Sequence, residues 1–417
     1  MAPERLKAPR GTFDVLPADG ERRRSLRTAA ERLLGGAGYA AFESPVFEDT
    51  ALFARGVGES TDIVSKEMFT FEDQGGRSLT LRPEGTAGAC RAYIEHGMHK
   101  RPAPVKLSYW GPFFRHETPQ AGRYRQFAQV GAEALGSDDP SLDAELVLLL
   151  AELLEQAGVA QLRLRLSSLG DAPTRAAYGE ELRAHLRARE HELSDEVRAR
   201  IDQNPLRAFD SDHPGTRAVM ADAPLLVDRL GEADAEHFAT VRALLDDAGL
   251  AYDLDPTLVR GLDYYTRTVF EFESAALGAQ RGVGGGGRYD GLVAQLGGPP
   301  TPGVGWAAGI ERILLAAAAA GGDEQPEAEP TVYVAVAKPE AARRAFGLAR
   351  ALRLGVDARV ELEQAGRSLK GQLKHADRVG ARAVVIVGET IEVKDMRSGE
   401  QRSARDEHEL MRLVMGP

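Results

Sequence analysis

The chain has 417 residues, of which 43% are hydrophobic, and a formal net charge of −11 at pH 7. This length predicts two or three domains, and no apolar run approaches the ~20 residues that a membrane span needs. The N-terminus lacks the apolar stretch of a secretory signal, and the single cysteine, Cys90, excludes an internal disulfide framework and any Cys-based zinc site. We therefore expect a protein of the reducing cytoplasm that has no membrane partner.

Charge is distributed unevenly along the chain. Residues 331–417 contain 16 Lys and Arg against 12 Asp and Glu, a net of +4, which leaves −15 on the rest. The acidic total argues against a simple nucleic-acid binder, whereas the basic tail permits a polyanionic partner locally.

The N-terminal part has the pattern of an α+β fold. Residues 25–38 predict an amphipathic helix closed by glycines, and residues 39–53 predict an extended strand interrupted by Pro45. Residues 67–86 indicate a hairpin that leads into a helix, and residues 111–133 supply two further strands. Because no βαβ repetition is present, we expect the sheet to be antiparallel.

The rest of the chain divides at a linker. Residues 171–248 are charged and rich in Leu and Ala, without strand patterns, and predict a helical insertion within a first domain, 1–322. An acidic, Pro-containing linker is expected at 323–330. Strands then alternate with helices over 331–417, which predicts a small α/β domain with a mixed, largely parallel sheet.

Polar residues share one face of the hairpin in "GPFFRHETPQAGRYRQFAQVGAE", residues 111–133. Side chains two apart in a strand point the same way, so Gln129 and Glu133 lie on one face, and Arg115 is expected with them. Burying such a set is costly unless a ligand or a network satisfies it. The alternative is an exposed hairpin with surface ion pairs, each worth ~0–1 kcal/mol.

Two shorter segments carry further candidates, each with a structural alternative. In "TLRPEGT", Glu84 lies at a predicted helix start, where it either binds a substrate ammonium or stabilises the helix N-terminus. In "LVRGLDYY", Arg260 precedes a glycine and is suited to bidentate contact with a phosphate. The alternative there is a structural pair of Arg260 with Asp263, beside core tyrosines.

The glycine run in "GVGGGGRYDGL" lacks the spacing of a dinucleotide-binding fingerprint. We expect Gly285–Gly287 instead to allow a ligand or a neighbouring strand to approach the backbone closely. His96 and His99 have no Glu or Cys partner nearby in the sequence, so we expect no metal site built from the protein alone.

Four motifs, "TLRPEGT", "FRHETPQAGRYRQF", "LVRGLDYY" and "GIERILL", together resemble those of the class II aminoacyl-tRNA synthetases. Within that class "RGLDYY" and "GGRYDGL" are similar to the marks of the histidyl-tRNA synthetase family, and the resemblance covers nearly the whole chain. It implies a class II antiparallel sheet flanked by helices, and an anticodon-binding domain at 331–417. The implied reaction makes histidyl-adenylate and pyrophosphate from histidine and ATP, and then transfers histidine to the 3′ end of tRNA(His).

The resemblance also implies roles for individual residues. Arg115 would bind the α-phosphate of ATP, and Arg260 would be the catalytic cation near that phosphate and the reacting carboxylate. The other implied ATP-binding residues are Arg123 and Arg312, for the outer phosphates, and Phe127, for the adenine. The implied histidine-binding residues are Glu84, Gly85, Thr86, Arg115, Gln129, Glu133, Arg260, Tyr264, Tyr265 and Tyr289.

The same resemblance implies the partners. ATP would act with Mg²⁺, without zinc or an organic cofactor, and Gln120 would lie near the tRNA acceptor end. A homodimer is implied, formed through the strand around Pro45 and the helix before it.

Two other functions compete with this interpretation. One is the non-catalytic, synthetase-like regulatory subunit of ATP phosphoribosyltransferase, and the other is an RNA-binding or sensor module with an inactive site. Arg115, Arg260 and Arg312, together with the tail domain, argue against both.

Overall fold

The computed structural model describes residues 5–58, 61–278, 281–321 and 331–415. Contacts between Cα atoms divide the chain into two compact units, Met1–Glu324 and Gln325–Pro417. The linker expected at 323–330 lies outside the described residues. No helix in the described part of the chain is long and apolar enough to cross a membrane.

The first unit mixes strands and helices throughout. Its strands are β1 (Ala40–Ala41), β2 (Phe47–Asp49), β3 (Phe69–Glu72), β4 (Ser78–Leu81), β5 (Val105–Phe114), β6 (Gln126–Leu135), β7 (Leu162–Ser168), β8 (Asp253–Leu254), β9 (Thr266–Ser274), β10 (Gly282–Arg288) and β11 (Gly303–Gly309). Its α-helices are α1 (Pro17–Gly36), α2 (Thr50–Val57), α3 (Thr86–Glu95), α4 (Pro140–Gln156), α5 (Ala172–Ala188), α6 (Asp195–Arg200), α7 (Pro214–Met220), α8 (Glu232–Asp247), α9 (Leu292–Gln295) and α10 (Ile310–Ala319).

An eight-stranded sheet forms the centre of this unit, in the order β1-β5-β6-β11-β10-β9-β7-β8. The six central strands pair antiparallel, and only the two-residue strands at the edges, β1 and β8, pair parallel. This confirms the predicted antiparallel sheet. A smaller three-stranded sheet, β2-β4-β3, contains the predicted hairpin.

Alternation along β6 separates the core from the polar face. Val130, Ala132 and Ala134 are buried in the main hydrophobic core with residues of α4 such as Leu146 and Leu150. The alternate residues of β6 therefore point to the other face of the sheet. Burial of the apolar half of the strand thus sets the direction of the polar half.

One prediction for the first unit is wrong in part, and one strand was not predicted. The extended strand expected over 39–53 ends at Asp49, and helix α2 begins at the next residue. The side chain of Asp49 caps that helix by accepting from the backbone N–H of Ala51 at 2.8 Å. Strand β7 was not expected, although its sequence, "LRLRLSS", alternates apolar and polar residues. The cap at Asp49 ends the first segment as a strand. Pairing with β9, at least 100 residues later in the sequence, makes the second segment a strand.

The segment from α5 to α8 contains α-helices and short 3-10 helices, and no strand among its described residues. Tyr178, Leu182 and Leu186 on α5 belong to one hydrophobic cluster with Tyr264 and Tyr265. The helical segment therefore packs against the loop that precedes β9.

The second unit is an α/β sheet. Its strands are β12 (Thr331–Val336), β13 (Arg359–Leu362), β14 (Ala381–Val387), β15 (Ile391–Asp395) and β16 (Gln401–Ala404). Its helices are α11 (Ala342–Gly355), α12 (Leu369–Arg378) and α13 (Glu407–Met415). In the order β13-β12-β14-β15-β16 the first two pairings are parallel and the last two antiparallel. The sheet is mixed as expected, but the hairpin β15–β16 makes it less parallel than the alternation predicted.

Candidate active site

A cavity of about 220 Å³ opens on the polar face of the large sheet. It collects six of the residues that the sequence singled out: Arg115, Arg123, Phe127, Gln129, Arg260 and Arg312. These residues come from the β5–β6 hairpin, from the loop before β9 and from the start of α10, so the fold unites segments that are far apart in the chain. Gln120 does not line this cavity and lies in the exposed tip of the hairpin.

Glu133 lies at the centre of a buried cluster of hydroxyl groups. Its Oε1 accepts from Thr86 Oγ1 at 2.7 Å and from Tyr109 Oη at 3.2 Å, and its Oε2 accepts from Tyr289 Oη. Burial raises the pKa of Glu133 to about 8, although the three hydrogen bonds favour the charged form. The cluster therefore holds a carboxyl group that can change its charge near neutral pH.

Glycines make room for this cluster. A Cβ at Gly305 would overlap Glu133 Oε2, and one at Gly131 or Gly85 would overlap the ring of Tyr109. Gly286, within the glycine run, would likewise collide with the backbone of β11. The expected close approach of a neighbouring strand to Gly285–Gly287 is thus confirmed.

Glu84 lies two residues before the first residue of α3 and interacts with the N-terminus of that helix. Its two carboxylate oxygens accept from the backbone N–H groups of Thr86, at 2.7 Å, and Ala87, at 3.0 Å. The helix-stabilising alternative is therefore realised, and it fixes Thr86 where its hydroxyl reaches Glu133. Burial raises the pKa of Glu84 above its ordinary value.

Arg260 pairs with a residue that the sequence did not single out. Its Nη1 lies 3.0 Å from Glu271 Oε1, so the alternative pair with Asp263 is wrong. Asp263 instead accepts from Asn204 Nδ2 at 2.9 Å. Tyr264 and Tyr265 are both buried, with ring centroids 4.8 Å apart.

The remaining cavity residues are held from several sides. Arg115 donates from Nε to the carbonyl of Pro83 at 2.9 Å, and its guanidinium lies 5.4 Å from the centre of the Phe127 ring. Arg123 pairs with Glu117 at 3.2 Å, and Arg312 donates to the carbonyl of Gly282. The cavity is therefore strongly cationic while most of its guanidinium groups are already oriented.

Two buried polar atoms in this region lack a partner among the described residues. They are Oε1 of Gln129 and Nε of Arg260, both on side chains that line the cavity. Because burying an unpaired polar atom is costly, these two atoms indicate a ligand with both a donor and an acceptor.

Sequence reasoning missed Tyr109 and Glu271. Tyr109 lies two residues before Gly111 on β5 and is paired with Gly131, so strand alternation extended toward the N-terminus would have put it on the polar face. Glu271 alternates with the buried Phe270 and Phe272 on β9, which is a weaker signal because half-exposed strands commonly carry such charges.

No group of three or more His, Cys, Asp or Glu side chains in the described ranges is arranged to hold a metal ion. Cys90 is buried within α3, and burial raises the pKa of its thiol well above the ordinary value. The described chain supplies positive charge to the cavity through its arginine side chains.

The polar face of the antiparallel sheet carries arginines from a strand hairpin and from a strand–helix junction. This arrangement defines the catalytic unit of a class II aminoacyl-tRNA synthetase. The family model described as "Histidyl-tRNA synthetase" matches residues 11–313. The chain belongs to the histidyl-tRNA synthetase family.

Individual relatives agree with this assignment. The chain is 49% identical over 412 residues to the histidine–tRNA ligase of Rubrobacter xylanophilus, covering 95% of this chain and 96% of that protein. Its structure is similar to that of apo histidyl-tRNA synthetase from S. aureus, with a TM-score of 0.83 and 36% identity, covering 99% and 100% of the two chains. A Bacillus halodurans chain described as an ATP phosphoribosyltransferase regulatory subunit/histidyl-tRNA synthetase has a TM-score of 0.65 at 22% identity, covering 92% and 98%, which shows only a shared fold.

Proposed function

We propose that this chain is a histidine–tRNA ligase whose adenylation step takes place in the cationic cavity. Histidine's carboxylate attacks the α-phosphorus of ATP, which forms histidyl-adenylate and releases pyrophosphate. A terminal ribose hydroxyl of tRNA(His) then attacks the adenylate carbonyl and releases AMP. The observation that carries the proposal is the convergence of Arg115, Arg260 and Arg312 on one cavity beside the Glu133 cluster.

Electrostatics explain why adenylation needs this cavity. Two anions must meet, and negative charge grows on the phosphate oxygens during the attack. Guanidinium groups that are already fixed stabilise that charge without the reorganisation that water would need. We assign Arg115 to the α-phosphate, Arg123 and Arg312 to the outer phosphates, and Phe127 to the adenine ring.

Arg260 is assigned as the catalytic cation. Its pairing with Glu271 holds the guanidinium inside the cavity, and its Nε has no partner among the described side chains and backbone. That free N–H is available to an oxygen of the substrate carboxylate or of the α-phosphate.

The buried cluster accounts for selection of histidine. Its members come from the segment at the start of α3 (Glu84, Gly85 and Thr86) and from strand β6 (Gln129 and Glu133). Tyr264, Tyr265 and Tyr289 pack together beside them. Histidine presents an ammonium and two ring nitrogens, and a buried site built to pair such groups rejects analogues that leave its own polar atoms unmatched. We assign Glu133 and Tyr265 to the imidazole and Gln129 to the ammonium.

The regulatory-subunit alternative is not favoured. The curated relatives at 47–49% identity are histidine–tRNA ligases and match the chain over 95–96% of its length. An inactive sensor is also disfavoured, because such a site has no need of three arginines oriented on one cavity.

Several finer features belong to the same proposal. Residues 1–322 act as the catalytic domain, with 171–248 as a helical insertion, and 331–417 read the anticodon region of the tRNA. Mg²⁺ enters as part of the ATP substrate. Gln120, exposed in the loop of the hairpin, lies near the tRNA acceptor end, and the protein acts in the cytoplasm.

A homodimer is also part of the proposal. Phe47 and Phe71 lie exposed on the small sheet β2-β4-β3, with ring centroids 6.1 Å apart. An apolar pair exposed on a sheet near Pro45 supports burial of this face against a second copy.

The test is histidine-dependent exchange of labelled pyrophosphate into ATP. Wild-type protein is expected to show exchange with histidine and not with other amino acids. Arg260→Ala is expected to lower the rate by at least about 100-fold, the usual effect of removing one preorganised charge-stabilising donor. Arg163→Ala is the matched control, since Arg163 is half-exposed and pairs with the exposed Asp253 on the surface. Absence of exchange in folded wild-type protein would overturn the assignment.

A further inference from the structure

The loop that carries the catalytic cation has little support of its own. Residues 258–265 form neither helix nor strand, yet they contain Arg260, Tyr264 and Tyr265. One backbone bond to an outside element is that from Asp263 N–H to the carbonyl of Val57, at 3.2 Å. The guanidinium of Arg260 is held by Glu271, and the backbone of the loop depends on side chains that reach it from other elements.

Arg175, on helix α5, makes the most specific of these contacts. Its Nη1 donates to two backbone carbonyls of the loop, that of Asp263 at 2.6 Å and that of Tyr265 at 2.8 Å. One guanidinium therefore fixes the peptide group before Tyr264 and the peptide group after Tyr265, which bracket the two tyrosines assigned to the histidine pocket.

Asn204 provides a second contact from the helical segment. Its Nδ2 donates to Asp263 Oδ1 at 2.9 Å. On the other side of Asp263, a Cβ at Gly58 would lie 2.7 Å from Oδ2, so the carboxylate is closely packed against the end of α2. Asp263 is thereby held at its carbonyl, its amide N–H and its carboxylate.

We propose that Arg175 and Asn204, both in the helical insertion, are positioning residues that hold loop 258–265 so that Arg260 enters the cavity and the two tyrosines close the histidine pocket. This rests on the proposed function of that pocket. The insertion is then part of the catalytic apparatus, and a change in its packing would be transmitted to Arg260 through the backbone of residues 263–265.

The chemistry of the contact favours arginine at position 175. A backbone carbonyl pair is best satisfied by a rigid, always charged donor, and the planar guanidinium loses less conformational freedom than a lysine ammonium on binding. A lysine ammonium also has donors for both carbonyls, but its side chain is shorter and its N–H groups are not held in one plane. Displacing the loop by about 1 Å is sufficient to lower a rate by roughly 100-fold, because adenylation needs aligned reactants.

The test compares Arg175→Ala with Arg183→Ala in pyrophosphate exchange. Arg183 lies two turns further along α5 and pairs with Glu180 on the same helix, so its loss is expected to leave kcat and KM unchanged. For Arg175→Ala we expect kcat/KM for histidine to fall about 10- to 100-fold, through both a lower kcat and a higher KM. Arg175→Lys is expected to recover part of this loss, and added guanidinium ion is expected to restore activity to Arg175→Ala.

Hydrogen exchange provides a readout that does not require activity. Amides of residues 258–266 are expected to exchange faster in Arg175→Ala than in wild type or Arg183→Ala. If the amides of residues 258–266 exchange more slowly in wild type than in Arg175→Ala, but wild type shows no histidine-dependent turnover, the proposed function fails while the positioning contact stands. Wild-type kinetics together with unchanged amide exchange in Arg175→Ala would overturn the positioning role. Should Arg175→Ala fail to fold, Asn204→Ala takes its place. It is expected to change kinetics and amide exchange in the same direction by a smaller amount. Unchanged kinetics and unchanged amide exchange in Asn204→Ala would count equally against the proposal.

Discussion

Glu133 is a carboxyl group whose protonation is set by its enclosure. It is fully buried, and Thr86, Tyr109 and Tyr289 donate to its two oxygens. Burial dominates over these hydrogen bonds and, with a smaller contribution from the nearby Glu84, raises the pKa of Glu133 to about 8. A ligand that brings a positive charge or N–H donors to this pocket would favour the charged form of Glu133.

The raised pKa predicts a pH-dependent stability. The folded protein retains the Glu133 proton over pH values where the unfolded chain, with a carboxyl pKa near 4.5, has lost it. The part of the unfolding free energy that comes from this retained proton is therefore fully present below pH 4.5 and is lost as the pH rises through 8. In Glu133→Gln we expect the decline in unfolding free energy between pH 5 and pH 8.5 to be smaller, by on the order of a few kcal/mol.

Urea unfolding at a series of pH values measures this difference. The comparison uses only the pH-dependent part of the unfolding free energy, because the glutamine also changes the hydrogen bonds to Thr86 and the tyrosines at every pH. Parallel pH profiles for wild type and Glu133→Gln would contradict a raised pKa at this residue.

At the scale of elements, the site depends on strands that approach without side chains between them. Gly305 on β11 lies opposite Glu133 on β6, and Gly286 on β10 lies opposite Trp306 on β11. The glycines reduce the intrinsic preference for a strand, but they leave the space in which Glu133 and its tyrosines are buried.

Gly305→Ala is therefore expected to damage both the fold and the site. The added Cβ would overlap Glu133 Oε2 and would lie 2.7 Å from the carbonyl oxygen of Ala132. We expect a loss of about 1–3 kcal/mol in unfolding free energy and loss of histidine-dependent exchange.

Gly35→Ala in α1 is the matched control for that change. A Cβ at Gly35 would have no atom within 4 Å apart from its chain neighbours and the backbone of its own helix. Since alanine favours a helix, the control is expected to gain about 0.5–1 kcal/mol in unfolding free energy. Equal stability changes in the two variants would show that the space at Gly305 is not critical.

At the scale of the whole molecule, the two compact units predict a division of labour. All the residues assigned to adenylation lie in the first unit, whereas the basic excess lies at 331–417. We expect a protein truncated after residue 322 to retain pyrophosphate exchange and to lose at least tenfold in kcat/KM for aminoacylation of tRNA, about 1.4 kcal/mol.

Measuring both steps on the truncated and full-length proteins tests this division. Circular dichroism and gel filtration of the truncated protein provide the folding control. Equal aminoacylation by the two proteins would contradict a role for the tail unit in tRNA binding.

The residues that the sequence identified are those with local motifs. Arg115, Arg260 and Arg312 each occupy a distinctive short segment, and the strand alternation around Gln129 and Glu133 placed those two side chains on the polar face. In the second unit the elements from β12 to β14 also followed the predicted alternation of strands and helices, whereas the hairpin β15–β16 and helix α13 were not predicted. Short-range pattern was sufficient here because each of these features depends on a few neighbouring residues.

Tertiary structure alone decided how the segments meet. Tyr109 joins Glu133, Glu271 pairs with Arg260, and Arg175 reaches loop 258–265 across 88 and 90 residues of sequence. Likewise, the carboxylate of Glu84 caps a helix and Asp263 turns toward the insertion and not toward Arg260. Such choices are settled by which partner is nearest after the sheet and the insertion have packed, because a buried charge or carbonyl takes the donor that the fold brings to it.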